Sequence, residues 1–245
     1  MPSASHGRRT QELARILERE ALEPGEPFSC PYLPGRQARH LTVLPTPAAP
    51  GLYHSLMDLN FRRLGPLFYR PQCDDCRECR MIRIPVPSFQ PSRSQRRCLA
   101  RNRDLRVEAG PPRPTEEKHA LYRRYLERRH DGKMDGSQEE FHGFLYNSEL
   151  DTLEVLYWSG ERLLAVAITD LEPEAMSAVY CFFDPDEAGR SLGVFNVLWT
   201  IDECLRRGIE YLYLGYYIRN CPKMSYKADY RPCEVLAEDG SWEPQ

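Results

Sequence analysis

Downstream of Pro111, Pro112 and Pro114 the apolar residues change period in a regular succession, which limits the possible folds more than any single motif does. Thr115, Glu116 and Glu117 open a helix carrying Leu121, Tyr122, Tyr125 and Leu126. Ser137 and Glu140 then stand at capping-box spacing ahead of Phe141, Phe144 and Leu145. Strand-like runs follow at 152–158, 162–170 and 176–183, the first two joined at Ser159-Gly160 in the manner of a hairpin. A helix from Leu192 to Arg207 carries Leu192, Phe195, Leu198, Trp199 and Ile201 and closes at Gly208, ahead of the strand Tyr211 to Leu214. With Asp104 to Val107 as a first strand, the order is β-α-α-β-β-β-α-β, an α+β arrangement on a mixed sheet.

The upstream part has a different character. Leu13, Ile16 and Leu17 make an amphipathic helix between Arg8 and Leu22, and Leu52, Leu56 and Leu59 predict a second one, stopped by Gly65-Pro66. Ile82, Ile84 and Val86 alternate around Arg83 as a strand with one buried face, and Ser92 with Gln95 caps an Arg-rich helix. The change of character divides the chain into a small Cys- and Arg-rich domain, 1–103, packed on a larger domain, 104–245.

Several function classes fall away on simple grounds. The longest apolar runs, Leu163 to Ile168 and Ala178 to Phe183, are six residues long, whereas a bilayer crossing takes about twenty. The Arg- and Glu-rich first twenty residues lack a secretory pattern, so a cytoplasmic protein without a membrane partner is expected. Nine cysteines, an odd number, then read as reduced thiols or metal ligands.

The net charge of −3 hides an asymmetry. Residues 61–106 carry 12 arginines against 4 acids, whereas residues 107–245 carry 15 basic and 26 acidic groups. Arginines interleaved with Phe61, Phe68, Tyr69 and Phe89 suit a phosphate backbone and unstacked bases. A general preference for Arg over Lys, of which the chain has four, explains the choice of cation but not the shortage of acids in the same window.

The densest chemical signal is Cys73, Cys76 and Cys79 at two-residue gaps, with Cys30 ahead of Pro31 as the candidate fourth ligand. Thiolates so spaced can converge on zinc or an iron–sulfur cluster, or they are inert thiols in a tight turn. Cys98, Cys181, Cys204, Cys221 and Cys233 stand singly and read as packing residues.

The order of elements is similar to that of the GNAT-type N-acyltransferases, whose mixed sheet splays to admit an acyl donor. The chain as a whole resembles the aspartate/glutamate leucyltransferases, the bacterial branch of the arginyltransferase-like protein transferases. The matching stretches include Cys30-Pro31-Tyr32-Leu33-Pro34, Phe61-Arg62-Arg63-Leu64-Gly65, Tyr69-Arg70-Pro71, the Cys73 to Cys79 cluster, Pro91-Ser92-Arg93-Ser94-Gln95-Arg96-Arg97 and Arg129-His130-Asp131-Gly132. Further on come Val179 to Pro185, Tyr211 to Tyr216 and Cys221-Pro222-Lys223-Met224-Ser225-Tyr226-Lys227. The resemblance implies transfer of leucine from leucyl-tRNA to the α-amine of a protein beginning with Asp or Glu, creating an N-degron for proteolysis. It implies an aminoacyl-tRNA and acidic-start proteins as partners, and no small-molecule cofactor for the transfer.

Charge matching then proposes roles. The acceptor's carboxylate calls for Arg62, Arg63, Arg70, Lys223 or Lys227, the two lysines having a solvated face as the alternative. Arg93, Arg96 and Arg97 suit tRNA phosphates or a solvated helix face, and Arg190 to Gly193 is close to the Arg/Gln-x-x-Gly turn on which the GNAT fold seats its donor's phosphates. His130 is a candidate base or a helix cap, Asp184 a catalytic carboxylate or a turn former, and Tyr216 a catalytic candidate that, with Tyr180 and Tyr213, lines the cleft or is an ordinary sheet residue. Nothing in the residues separates leucine from arginine as the transferred group. A non-catalytic, metal-stabilised tRNA-binding module and a coenzyme-A-dependent acetyltransferase are the competing classes, the latter disfavoured by the incomplete glycine turn.

Overall fold

The computed structural model describes residues 4–44, 49–129 and 135–245. After α1 (Ala4–Arg19), β1 (Phe28–Ser29) and β2 (Gln37–Ala38) form a short ribbon. β3 (His40–Val43), α2 (Leu52–Asp58), β4 (Arg62–Leu64) and β5 (Leu67–Pro71) follow, the strands making a small sheet in the order β3-β5-β4. β6 (Arg80–Pro85) and α3 (Arg93–Arg101) lead to β7 (Arg106–Gly110), α4 (Glu116–Arg129) and α5 (Gln138–Phe141), which runs into a π turn at His142–Tyr146. The meander β8 (Thr152–Ser159), β9 (Arg162–Leu171) and β10 (Ala175–Phe183) feeds α6 (Leu192–Arg207) and β11 (Tyr211–Tyr217). The chain ends with α7 (Pro222–Ser225), β12 (Glu234–Leu236) and β13 (Trp242–Pro244).

The expected succession from β7 to β11 is therefore present, because each of its elements is dictated by local period and caps. Gly160 turns the β8–β9 hairpin with φ +60°. Both bonds of the Ser92–Gln95 capping box form, whereas Ser137 accepts from the Glu140 amide at 3.1 Å while the Glu140 carboxylate turns to the Gly136 amide at 2.6 Å.

Eight strands build the main sheet in the order β13-β12-β6-β11-β10-β9-β8-β7, antiparallel throughout except for β10 with β11. This is the GNAT-like mixed sheet. One face packs on α6 through residues such as Leu198, Ile201 and Leu212, each worth about 1.5–3 kcal/mol when buried. The other face takes α4 and α5 over Val166, Ile168 and Phe182, and α2 over Met81, Tyr211 and Tyr213. No described helix is long and apolar enough to cross a membrane.

Two local expectations are corrected. α2 ends at Asp58 because Asn60 turns left-handed (φ 68°), and the residues up to Pro71 form the β4–β5 hairpin around Gly65 (φ 58°). β6 is buried on both faces, Arg83 included, because α2 and the C-terminal hairpin cover the side that alternation assigned to solvent. β6 also lies between β12 and β11, so the ladder crosses the boundary expected at 103/104.

Candidate active site

β10 and β11 run parallel for only three rungs, Ala175 with Tyr211, Met176 with Leu212 and Ser177 with Tyr213. Immediately beyond, both strands slip register against their outer neighbours, β10 between Ala178 and Tyr180 and β11 between Tyr213 and Gly215. Each irregularity bends its strand, and the pair opens into a split. Gly215 sits at that bend with φ +80°, and a β-carbon there would stand 2.6 Å from the Arg62 guanidinium carbon. Only glycine fits.

Arg62 fills the vertex of the split. Its Nη2 donates to the Ala178 and Val179 carbonyls at 3.4 and 3.2 Å, and Tyr216 lies with its ring centroid 5.8 Å away. The phenols of Tyr69, Tyr53 and Tyr32 complete its surroundings. No carboxylate among the described residues pairs with it, and its buried Nε has no partner. The adjacent Arg63 is the reverse case. Its Nε holds Asp170 at 2.8 Å with side chains 1% and 0% exposed, and its Nη1 faces the Gly65 and Phe144 carbonyls, so it is structural and not an acceptor site.

The other expected cations part company too. Lys227 is buried, donating to the Tyr216 carbonyl at 2.6 Å, and burial, with Arg62 alongside, holds its amine well below the usual lysine range. It is a buried prop on the β11 lip, its amine turned to a backbone carbonyl instead of to a ligand. Lys223 is exposed on α7. Arg70 lies over Phe61 at 5.0 Å, reaches the Leu59 carbonyl, and lines a cavity of about 410 Å³ with Cys73, Cys76 and Cys79.

Two expected catalytic groups are already engaged. Tyr216 is fully buried with its hydroxyl against the Asn60 and Tyr69 carbonyls at 3.0 and 3.1 Å, and burial pushes its pKa well up. Asp184 caps the turn 185–190 and is gripped by Arg124 at 2.7 Å and by Arg162. Although burial alone would raise its carboxyl, those partners hold it below the ordinary carboxylate value, so it is a poor base and a good anchor. His130 lies outside the described residues.

Arg93, Arg96 and Arg97 are exposed on α3, and none of them pairs with a described acid. Arg190 does: it is bidentate to Asp104, both bonds 2.9 Å, and reaches Glu187 at 3.2 Å, which spends the charge expected for tRNA. Gly193 lies in the first turn of α6, where a β-carbon would stand 3.4 Å from the Phe183 ring.

Cys30, Cys73 and Cys76 stand near enough to Cys79 to act on it electrostatically. Burial, then Cys30, Cys76 and Cys73 in turn, push the Cys79 thiol up to about 12, and Cys79 is in turn a neighbour of Tyr32, Tyr69, Tyr216 and Lys227. The cluster therefore abuts the split. Among the described residues, however, the trio of metal-type ligand atoms within 4.8 Å of one another is His6, His54 and Asp58, not the cysteines. Those two imidazoles are stacked 3.7 Å apart at 20°, so their in-plane lone pairs run side by side, and Arg83 stands 3.5 Å from Asp58. That geometry suits a hydrogen-bonded network better than an ion.

Sequence reasoning missed Tyr53, Asp170 and the meaning of Gly215. A glycine inside the run Tyr211 to Tyr216 was the available signal for a bend in the strand.

Comparison with known proteins follows the same outline. Residues 28–97 match the family "Arginine-tRNA-protein transferase, N terminus", and residues 117–237 match "Arginine-tRNA-protein transferase, C terminus". A protein of Pseudomonas fluorescens (strain Pf-5) named aspartate/glutamate leucyltransferase is 47% identical over 228 residues, covering 92% of this chain and 95% of its own. One of the same name from Pseudomonas putida (strain W619) is 48% identical over the same shares. Among solved structures, the C-terminal domain of an Agrobacterium fabrum protein described as a lysylphosphatidylglycerol synthetase superposes with a TM-score of 0.50 at 14% identity, covering 80% of this chain and 64% of that one.

Proposed function

The chain belongs to the arginine-tRNA-protein transferase family as an aminoacyltransferase of its leucyltransferase branch, and we propose that the split between β10 and β11 is where it joins leucine to its acceptor. The acceptor α-amine attacks the ester carbonyl of leucyl-tRNA. A C–N bond forms, the C–O bond to the ribose breaks, and the tRNA leaves as a free hydroxyl with the proton that the amine gives up. Aminolysis of an ester runs downhill, so positioning and oxyanion stabilisation are the main tasks. The ladder amides that β10 and β11 no longer share beyond Ser177 and Tyr213 supply donors for that oxyanion. An α-amine with an ordinary pKa of about 7.7–8.0 is partly neutral at working pH, so a strong base is not required.

The observation that carries the acceptor assignment is the un-neutralised Arg62 guanidinium at the vertex. With Nη2 held by the two carbonyls and Nε buried, Nη1 is the donor left for the side-chain carboxylate of an amino-terminal Asp or Glu, in a charge-assisted hydrogen bond. Arg93, Arg96 and Arg97 take the tRNA backbone, which leaves the donor's 3′ end to enter the split. An aminoacyl-tRNA donor places the work in the cytoplasm, and the leucine added would mark the acceptor as an N-degron. Cys30, Cys73, Cys76 and Cys79 have the soft donors that zinc or an iron–sulfur cluster takes, and their sulfurs would have to draw closer together than they stand here to hold one and brace the loop behind Tyr32 and Tyr69. Elemental analysis of the purified protein reads that occupancy.

The test is transfer from leucyl-tRNA and arginyl-tRNA to peptides beginning with Asp, Glu, Lys or Ala. Leucine on the acidic starts alone is expected. Arg62→Ala should raise the KM for those peptides about 10- to 100-fold, the worth of a charge-assisted pair, with the KM for leucyl-tRNA unchanged. No product from leucyl-tRNA with folded protein would overturn the donor, and an unchanged peptide KM would overturn the role of Arg62.

A further inference from the structure

Arg62 needs something to fix its stance, because its bonds to Ala178 and Val179 are long and its Nε has no partner. The next residue is fixed twice. The Arg63 side chain is tied to Asp170 at 2.8 Å, and the Arg63 amide donates to the Tyr53 hydroxyl at 3.1 Å. That hydroxyl is also hydrogen-bonded to Ser177 Oγ at 3.2 Å, and Ser177 is one half of the last rung before the strands part. The other half, Tyr213, is held by the same helix: His54 Nε2 lies 3.1 Å from the Tyr213 hydroxyl, which in turn donates to Asp58. α2 thus grips both strands at the vertex, and its Tyr53 binds the backbone beside the acceptor-reading cation.

We propose that Tyr53 is the positioning residue for acceptor recognition, its hydroxyl coupling the Arg63 amide to Ser177 and so setting how far the Arg62 guanidinium reaches into the split. This rests on reading Arg62 as the site of the acceptor's carboxylate. The Tyr53 ring is 1% exposed and packed 5.0 Å from Phe68, so it holds one position. With its oxygen accepting from Arg63, its single proton is directed to Ser177, and burial, which pushes the phenol up to about 12, keeps that proton in place. Asp and Glu side chains differ by one methylene, so a change in reach changes the balance between them.

The experiment measures transfer by the full-length protein, with Asp- and Glu-starting peptides and with leucyl-tRNA, for Tyr53→Phe, Ser177→Ala and Arg62→Ala, alongside melting temperatures. Tyr53→Phe is expected to raise the peptide KM about fivefold with kcat within about twofold, to leave the leucyl-tRNA KM alone, and to shift the Asp:Glu ratio of kcat/KM. Ser177→Ala, which cuts the lower half of the link, should shift the ratio in the same direction by less. A general loosening of the fold would instead lower kcat and raise both KM values without changing the ratio, and that result overturns the proposal. So does a Tyr53→Phe enzyme with unaltered peptide KM and ratio while Arg62→Ala loses acceptor binding, which leaves the reading of Arg62 standing. An Arg62→Ala enzyme with normal peptide KM removes that reading first, and the proposal with it. Should Tyr53→Phe fail to fold, an unshifted ratio in Ser177→Ala is the overturning result.

Discussion

Arg62 and Arg63 carry the same side chain one residue apart, and their partners give them opposite work. Arg63 is desolvated together with Asp170, so replacing either one alone would leave a buried charge unpaired. Arg62 hydrogen-bonds to carbonyls alone and forms no ion pair with a described residue, Asp170 being taken by Arg63, which leaves its charge the more available to a ligand. The same partner analysis decides Asp184. Two guanidiniums and the Asp186 amide hold its carboxylate, and a held anion is an anchor. Asp184→Asn should therefore cost about 1–3 kcal/mol in chemical denaturation while kcat stays within about threefold; a collapse of kcat with stability intact would restore a catalytic role. Because the folded Asp184 pKa is depressed, its contribution is present at neutral pH and is lost as pH falls through that value.

At the scale of the element, α2 has seven residues, too few to persist on its own helical propensity. Its stability is borrowed from Tyr53, Leu56 and Met57 in the core and from Glu172, whose carboxylate accepts from the Gly51 and Tyr53 amides at the helix start. Burial raises the Glu172 pKa from its ordinary 4.5 to about 7 despite those bonds. A carboxyl with a raised folded pKa stabilises the protein most below the unfolded value, and the contribution is lost as pH rises to about 7. That span amounts to about 3 kcal/mol. Glu172→Gln keeps an acceptor for the amides and removes the titration, so it should be more stable than the parent at pH 8 and comparable near pH 4.5. Urea unfolding across that range shows the slope or its absence.

Across the whole molecule, the eight-stranded sheet binds the Arg-rich half to the acidic half, with β6 inserted between β11 and β12. The split consequently receives residues from both: Arg62 from the small sheet, Gly215 and Tyr216 from β11, and Lys227 from the turn after α7. The charge asymmetry serves binding at longer range. Replacing Arg93, Arg96 and Arg97 together by Gln should weaken leucyl-tRNA binding and flatten the log–log salt dependence by about 2–3, measured by filter binding between low and physiological salt. An unaltered slope would move the tRNA track elsewhere.

Period and caps alone determined the order of elements from β7 to β11, the hairpin at Gly160 and the capped start of α3, because each depends on residues within a turn or two of one another. The run of motifs was likewise enough to place the chain in its family. Tertiary structure decided what local pattern does not encode: that β6 enters the main sheet, that α2 stops at Asp58, and that a bend in each strand opens β10 from β11. It also sorted the cations, leaving Arg62 without an ion pair, pairing Arg63 with Asp170 and Arg190 with Asp104, and burying Lys227 against a backbone carbonyl. Whether a charge is spent or available depends on partners that approach only when the chain folds, Arg63 and Asp170 being 107 residues apart.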